Sequence, residues 1–309
     1  MLYRILFIAA VILLLQTVSK AQNQFDVEVA RQIEQIKKIS GTSDGEFEKL
    51  PATSPATSDK DSPVSKLIGL GMDVVPHLTP FIADDSLTQA FVRDRRDRSS
   101  RRQIVVNEYV IFVIRKVTDY EFYLPSKQND ASELQKLQQQ IVSWWQENHT
   151  KTLLERKIDE INDPVHTNRF NAYKWLGREK AQEGRLALEQ RIETLLTGDV
   201  NSLKQSEMAE CAESLAEIGD ANSVTAVEKV CEHSSYWMYM SFRPSEEGRS
   251  GTDSGQITRL FKAYRALAIL GQKGEALLSL REIERKYLQE MELCTQKEFL
   301  KNLTEAEKW

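Results

Sequence analysis

The chain has 309 residues, with 46 acidic side chains against 41 basic ones and a net charge of −5. This mild acidity leaves no electrostatic footprint for nucleic acid, and the length suits one long repeat array or two small domains. Three cysteines, Cys211, Cys231 and Cys294, are too few for a disulfide-stapled scaffold.

Residues 1–21 read as a signal peptide. Arg4 precedes an apolar run from Ile5 to Leu15, and Ser19 and Ala21 stand at −3 and −1 of a small-residue cleavage site. The run is shorter than the roughly 20 residues that span a bilayer. The expectation is therefore a cleaved signal and a periplasmic or extracellular protein with no membrane span after cleavage. An uncleaved anchor is the alternative. No second long apolar stretch follows. Residues 22–39 place Phe25, Val29, Ile33 and Ile36 at the spacing of one amphipathic helix. Residues 40–63 lose all periodicity and repeat Pro51-Ala-Thr-Ser as Pro55-Ala-Thr-Ser, the composition of a disordered linker.

From Val64 the helical signal resumes in residues 64–161. Leu67, Ile68 and Leu70 are separated by Gly71 from Val74, Val75, Leu78, Phe81 and Ile82, which predicts a helix, a tight turn and a second antiparallel helix. Ile104–Val117 is apolar on more than one side and is expected to be the buried central helix of its half. Glu133–Asn148 repeats Leu134, Leu137, Ile141, Trp144 and Trp145 at helical spacing, Leu153–Ile161 continues the pattern, and Asp163-Pro164 ends it. Trp144 and Trp145, about 100° apart on a helix, read first as core anchors.

Residues 162–309 repeat the hairpin grammar. Tyr173 and Leu176 run to Gly177, Ala212 to Ile218 runs to Gly219-Asp220, and Tyr264 to Leu270 runs to Gly271, each with an apolar stripe following. The glycine spacing is near the period of about 40 to 47 residues of two-helix HEAT or armadillo units, with an insertion at 241–256 lengthening the last gap. No segment alternates with β-branched enrichment, so essentially no sheet is expected. The fold class predicted is all-α, a right-handed α-solenoid of helical hairpins whose stacking forms the core.

With these stripes in view, the chain resembles bacterial exported HEAT-repeat proteins. The resemblance is carried by Leu67-Ile-Gly-Leu-Gly with Val75-Pro-His-Leu, by Ala212-Glu-Ser-Leu-Ala-Glu-Ile-Gly-Asp with Ala226-Val, and by Arg265-Ala-Leu-Ala-Ile-Leu-Gly. Val110–Asn148, with its Trp-Trp helix, is similar to a segment often found beside such repeats. The resemblance covers residues 64–289 and implies an armadillo-type architecture, not an activity.

Several groups stand out as candidate sites. Tyr236, Trp237, Met238, Tyr239 and Met240 lie at the base of the insertion, either as a partner-binding patch or as its tether to the repeats. Arg95, Arg96 and Arg98 sit in the mixed-charge run Arg93–Arg102, which reads as a solvated face or as a binder of acidic surfaces. Cys211 and Cys231 are equidistant from the Gly219–Asn222 turn, so either a disulfide across one repeat or two separate buried thiols is expected. Asn148-His-Thr and Asn302-Leu-Thr are glycosylation sequons. Histidines 77, 149, 166 and 233 form no spaced metal motif, and no nucleophile elbow, phosphate loop or Cys-x-x-Cys occurs. His77 is expected to pack or cap within its hairpin.

The expected function is that of a non-catalytic, exported scaffold binding another protein, without cofactor or metal. The alternatives are an enzyme or accessory subunit with a site in the solenoid groove, and a binder of envelope polymers.

Overall fold

The computed structural model describes residues 25–45, 60–94, 101–125, 130–197, 201–241, 254–291 and 293–309. The signal segment, most of the 40–63 linker, Arg95, Arg96, Arg98 and the insertion from 242 to 253 lie outside the described residues. The chain divides into two compact units, Met1–Thr150 and Lys151–Trp309. The expected boundary after Ile161 is thus drawn earlier. No described helix is long and apolar enough to cross a membrane.

The first unit opens with α1 (residues 25–36), whose Val29, Ile33 and Ile36 are buried as the helical spacing requires. Phe25 lies 4.8 Å from the His77 ring, and Asp26 hydrogen-bonds His77 Nδ1, so that histidine clips α1 to the following hairpin. That hairpin is α2 (Pro63–Gly69), capped by Ser62, and a second arm broken into a 3-10 turn, α3 (Val75–Leu78) and another 3-10 turn, Thr79–Ala83. Pro76 and Pro80 explain the breaks, since each lacks the N–H a continuous helix needs. Gly71 turns the chain at φ +71°.

Against expectation, the unit holds a three-stranded sheet: β1 (Ser40–Gly45), β2 (Leu87–Asp94) and β3 (Arg101–Val105). β1 pairs with β2 in parallel from Ser40 opposite Gln89 to Gly45 opposite Asp94, and β2 pairs with β3 antiparallel. The apolar alternation is hidden because Thr88 and Ala90 point inward while Leu87 points out, 60% exposed. Thr88 tolerates burial by donating its hydroxyl to the Ile104 carbonyl at 2.8 Å. β1, also unforeseen, takes the first residues of the expected linker.

The buried central helix is α4 (Val106–Thr118), with Tyr109, Val110, Val113 and Ile114 all inaccessible. Glu108 reaches back to the Val105 N–H at 3.2 Å and pairs with Arg102 at 2.6 Å, fixing the strand-to-helix corner. α5 (Ala131–Asn148), capped by Asp130, buries Leu134, Leu137 and Ile141. Its two tryptophans diverge as the helix dictates. Trp144 meets Tyr120 and Phe122 at 5.2 and 5.7 Å, whereas the Trp145 indole donates to the Met72 carbonyl at 2.9 Å.

The second unit begins with α6 (Leu153–Glu160), started by a reciprocal cap in which Thr152 and Glu155 satisfy each other's backbone N–H. Then come α7 (His166–Arg178), α8 (Arg185–Leu196), α9 (Ser202–Ile218), α10 (Val224–Ser241), α11 (Ser254–Leu267), α12 (Lys273–Tyr287) and α13 (Leu293–Ala306). Helices α7, α9, α11 and α13 pack side by side in succession, and α8, α10 and α12 alternate with them against their backs. Stripes such as Leu188, Ile192 and Leu195 or Ala212, Leu215 and Ala216 interdigitate in one continuous core. The chain is therefore mostly helical, of the all-α class, with one small sheet among the described residues of its first unit.

Two glycines with the same apparent role do different things. Gly219 ends α9 in the left-handed region at φ +79°, and Asp220 then caps the next turn through the Asn222 N–H. Gly177 is no turn residue. It lies inside α7, where a Cβ would stand 2.9 Å from Ser214 Cα and 2.5 Å from Glu217 Oε2. The turn itself falls to Lys180, at φ 51°.

Candidate functional site

Helices α10 and α12 flank a groove of about 320 Å³ with α11 at its floor. Ser235 and Tyr236 come from α10, Tyr264 from α11, and Ser279, Glu282, Ile283, Lys286 and Tyr287 from α12. Tyr264 is nearly inaccessible, and its hydroxyl meets the Ser235 hydroxyl at 2.9 Å. Burial raises the Tyr264 phenol above its ordinary value, so it stays a neutral hydrogen-bonding group. Tyr236 forms the open wall, 58% exposed. At the rim, Lys286 pairs with Glu282 at 2.5 Å one helical turn away.

The structure places the aromatic patch at this groove but divides its members. Met238 is 1% exposed and belongs to the core, because two residues further along a helix point roughly 200° away from Tyr236. Trp237 is half-buried. The side chain of Tyr239 lies outside the described residues. Among the described side chains of the predicted patch only Tyr236 lines the groove, and its neighbours Tyr264 and Tyr287 come from residues 28 and 51 positions further on. Periodicity marked Tyr264 as core and had no means of showing that it floors a groove.

A second cluster went unread in the sequence. Glu207 on α9, 1% exposed, receives Arg169 of α7 at 2.5 Å and Arg191 of α8 at 2.6 Å, while Tyr173 donates its hydroxyl to Glu207 Oε2 at 3.2 Å. Arg169 also donates to the Asp163 and Pro164 carbonyls, tying the entry loop to the same carboxylate. Burial pushes Glu207 up, but hydrogen bonds from the two guanidiniums outweigh it and hold the carboxyl below its ordinary value. With its oxygens saturated inside three helices, this group braces the fold and has no room for a substrate.

Cys211 and Cys231 are separate buried thiols, not a disulfide. They face different neighbours. Cys211 lies beside Tyr173 of the preceding hairpin, and Cys231 beside Tyr264 of the following one. Burial raises both thiols well above their ordinary value. Iodoacetamide should accordingly leave both unmodified in the native protein and alkylate both after denaturation without reductant, as read by peptide mass spectrometry. Native labelling of either thiol would contradict this packing.

Asn148 is buried with its amide on the Trp144 carbonyl, and Asn302 donates to the Glu298 carbonyl, so both sequon amides are engaged. A cleft between α11 and α13 presents Lys262, Arg265, Glu305 and Lys308. Its charges are matched internally, Lys262 with Glu210 and Glu213 and Lys308 with Glu305. Among the described residues no group of three or more His, Cys, Asp or Glu could hold a metal ion. No protein-family model, curated protein or solved structure matches the chain.

Proposed function

We propose that this chain is an exported, non-catalytic scaffold of HEAT-like hairpins that binds another protein through the groove between α10 and α12. The observation that carries the reading is an exposed tyrosine wall over a three-helix groove, at the place where the sequence has its aromatic cluster. Aromatic side chains give large contact area with few rotors to freeze, which is why they dominate interface centres. The alternating helix layers of the second unit support the solenoid part, since such stacks hold a groove's walls at fixed spacing. The apolar run from Ile5 to Leu15 supports export.

The test is site-specific photo-crosslinking of the full chain in its native host, with benzoylphenylalanine in place of Tyr236 and, as control, in place of Leu186, which is exposed on α8. A discrete protein adduct from position 236 and none from 186 is expected. Equal adduct patterns at both positions, or none at 236, would overturn the proposal.

A further inference from the structure

A further cleft, of about 740 Å³, lies on the first unit, lined by one stripe of α5 together with Tyr123 and Pro125 from the segment after α4. The stripe runs from Glu133 to Glu147, about 21 Å at the helical rise. Two aromatic rings line it, and both are held in place by the protein itself. Trp144 packs against Tyr120 and Phe122 at 5.2 and 5.7 Å. Tyr123 is 47% exposed and has the Arg115 guanidinium over its ring at 5.0 Å, while Arg115 is tied down by donating to the Phe122 carbonyl. Gln139, Gln140 and Ser143 line the same cleft, and none of their side chains has a hydrogen-bond partner among the described residues. Its charge is nearly cancelled. Lys136 pairs with Glu133 at 2.6 Å, which leaves Glu147 as the one lining carboxylate without an ion pair among the described residues.

We infer that this cleft binds a neutral glycan chain. A sugar ring has apolar C–H faces, which gain dispersion contact and lose water on an aromatic ring, and a rim of hydroxyls that need donors and acceptors together. Side-chain amides offer both, and a carboxylate accepts from two neighbouring hydroxyls. Fixed aromatic rings beside unengaged amides meet both halves of that requirement, and the length of the stripe suits several linked rings. Other ligand classes lack what they need here. Nucleic acid or a phosphorylated group needs cations, and the lysine of the cleft is already matched. A docked amphipathic helix needs a row of apolar anchors, whereas Leu137 is 5% exposed and Pro125 is the one other aliphatic residue in the lining. Strand addition needs a sheet edge, and here a helix forms the wall.

The experiment titrates the full chain by isothermal calorimetry with cellotetraose, maltotetraose and chitotetraose, and with an uncharged peptide of proline, tyrosine and serine. At least one sugar should bind with a dissociation constant of about 1 mM or tighter. Raising the salt to about 0.5 M should change that affinity by less than about twofold, because no charge pair forms. Tyr123→Ala should weaken it at least about fivefold and Gln140→Ala about threefold. Tyr236→Ala, which removes an exposed tyrosine of the second unit, should change it by less than about twofold. Thermal melts of each variant establish that it is folded.

No saturation by any of the three sugars at about 10 mM would overturn the inference, as would binding that Tyr123→Ala and Gln140→Ala leave unchanged. Equal weakening by Tyr236→Ala would do so too. Tighter binding of the peptide than of every sugar, lost in Tyr123→Ala, would overturn it in favour of a protein ligand.

Discussion

Glu207→Gln should lower the stability of the second unit by about 2–3 kcal/mol, a fall in melting temperature of roughly 5–10 °C. The cost arises less from the bonds lost than from what remains. Arg169 and Arg191, with side chains 11% and 16% exposed, would keep their charges in a site that no longer neutralises them. Their residual exposure permits partial rehydration, which places the effect at or below the low end for a broken buried pair, about 3–5 kcal/mol. An exposed pair such as Lys229 with Glu193, at 45% and 55%, should by contrast tolerate Lys229→Ala within about 0.5 kcal/mol. Thermal melts of the three proteins at one ionic strength make the comparison.

The same carboxylate sets a pH dependence of definite sign. Glu207 is held below the ordinary value of 4.5, so near that pH the unfolded chain binds more protons there than the folded one. Its contribution is complete above 4.5 and is lost as pH falls through the folded-state value. The stability gap between wild type and Glu207→Gln should accordingly be constant from neutrality down to about pH 5 and close below it. A gap that persists unchanged at about pH 3 would mean that the carboxylate charge is not what braces the helices.

Gly177→Ala should destabilise by about 2 kcal/mol, although alanine is the better helix former by about 1 kcal/mol. The new methyl would stand 2.9 Å from the Ser214 Cα, which is backbone and cannot rotate aside, so α7 and α9 must separate. Gly274 provides the opposite sign on the same chemistry. It lies in the first turn of α12 with nothing within 4 Å of its absent Cβ, and Gly274→Ala should stabilise by about 0.5–1 kcal/mol. Urea midpoints for the two variants give both numbers. A stabilising Gly177→Ala would show that the two helices have slack between them.

Most helices were legible because each has one face to bury. The spacing of Leu134, Leu137 and Ile141 or of Val29, Ile33 and Ile36 states which side turns inward, and the burial agrees. The sheet was not legible because its inward residues are a threonine and an alanine while a leucine faces out. Thr88 becomes an interior residue only when the Ile104 carbonyl, 16 positions away, accepts its hydroxyl. The candidate groove was half legible. Tyr236 belongs to a visible aromatic cluster, whereas Tyr264 and Tyr287 become its neighbours only when three helices are set side by side.

Sequence by itself determined the helical class, the position of most hairpins and the turn at Gly219-Asp220, because periodicity, capping and glycine conformations are local properties. Tertiary structure alone decided that Gly177 spaces two helices, that Glu207 is an interior charge and that Cys211 and Cys231 face different neighbours. Each of those outcomes depends on which distant surface arrives against a side chain. A glutamate among Ser206, Met208 and Lys204 looks solvated until Arg169 and Arg191, brought by two other helices, replace the water around it.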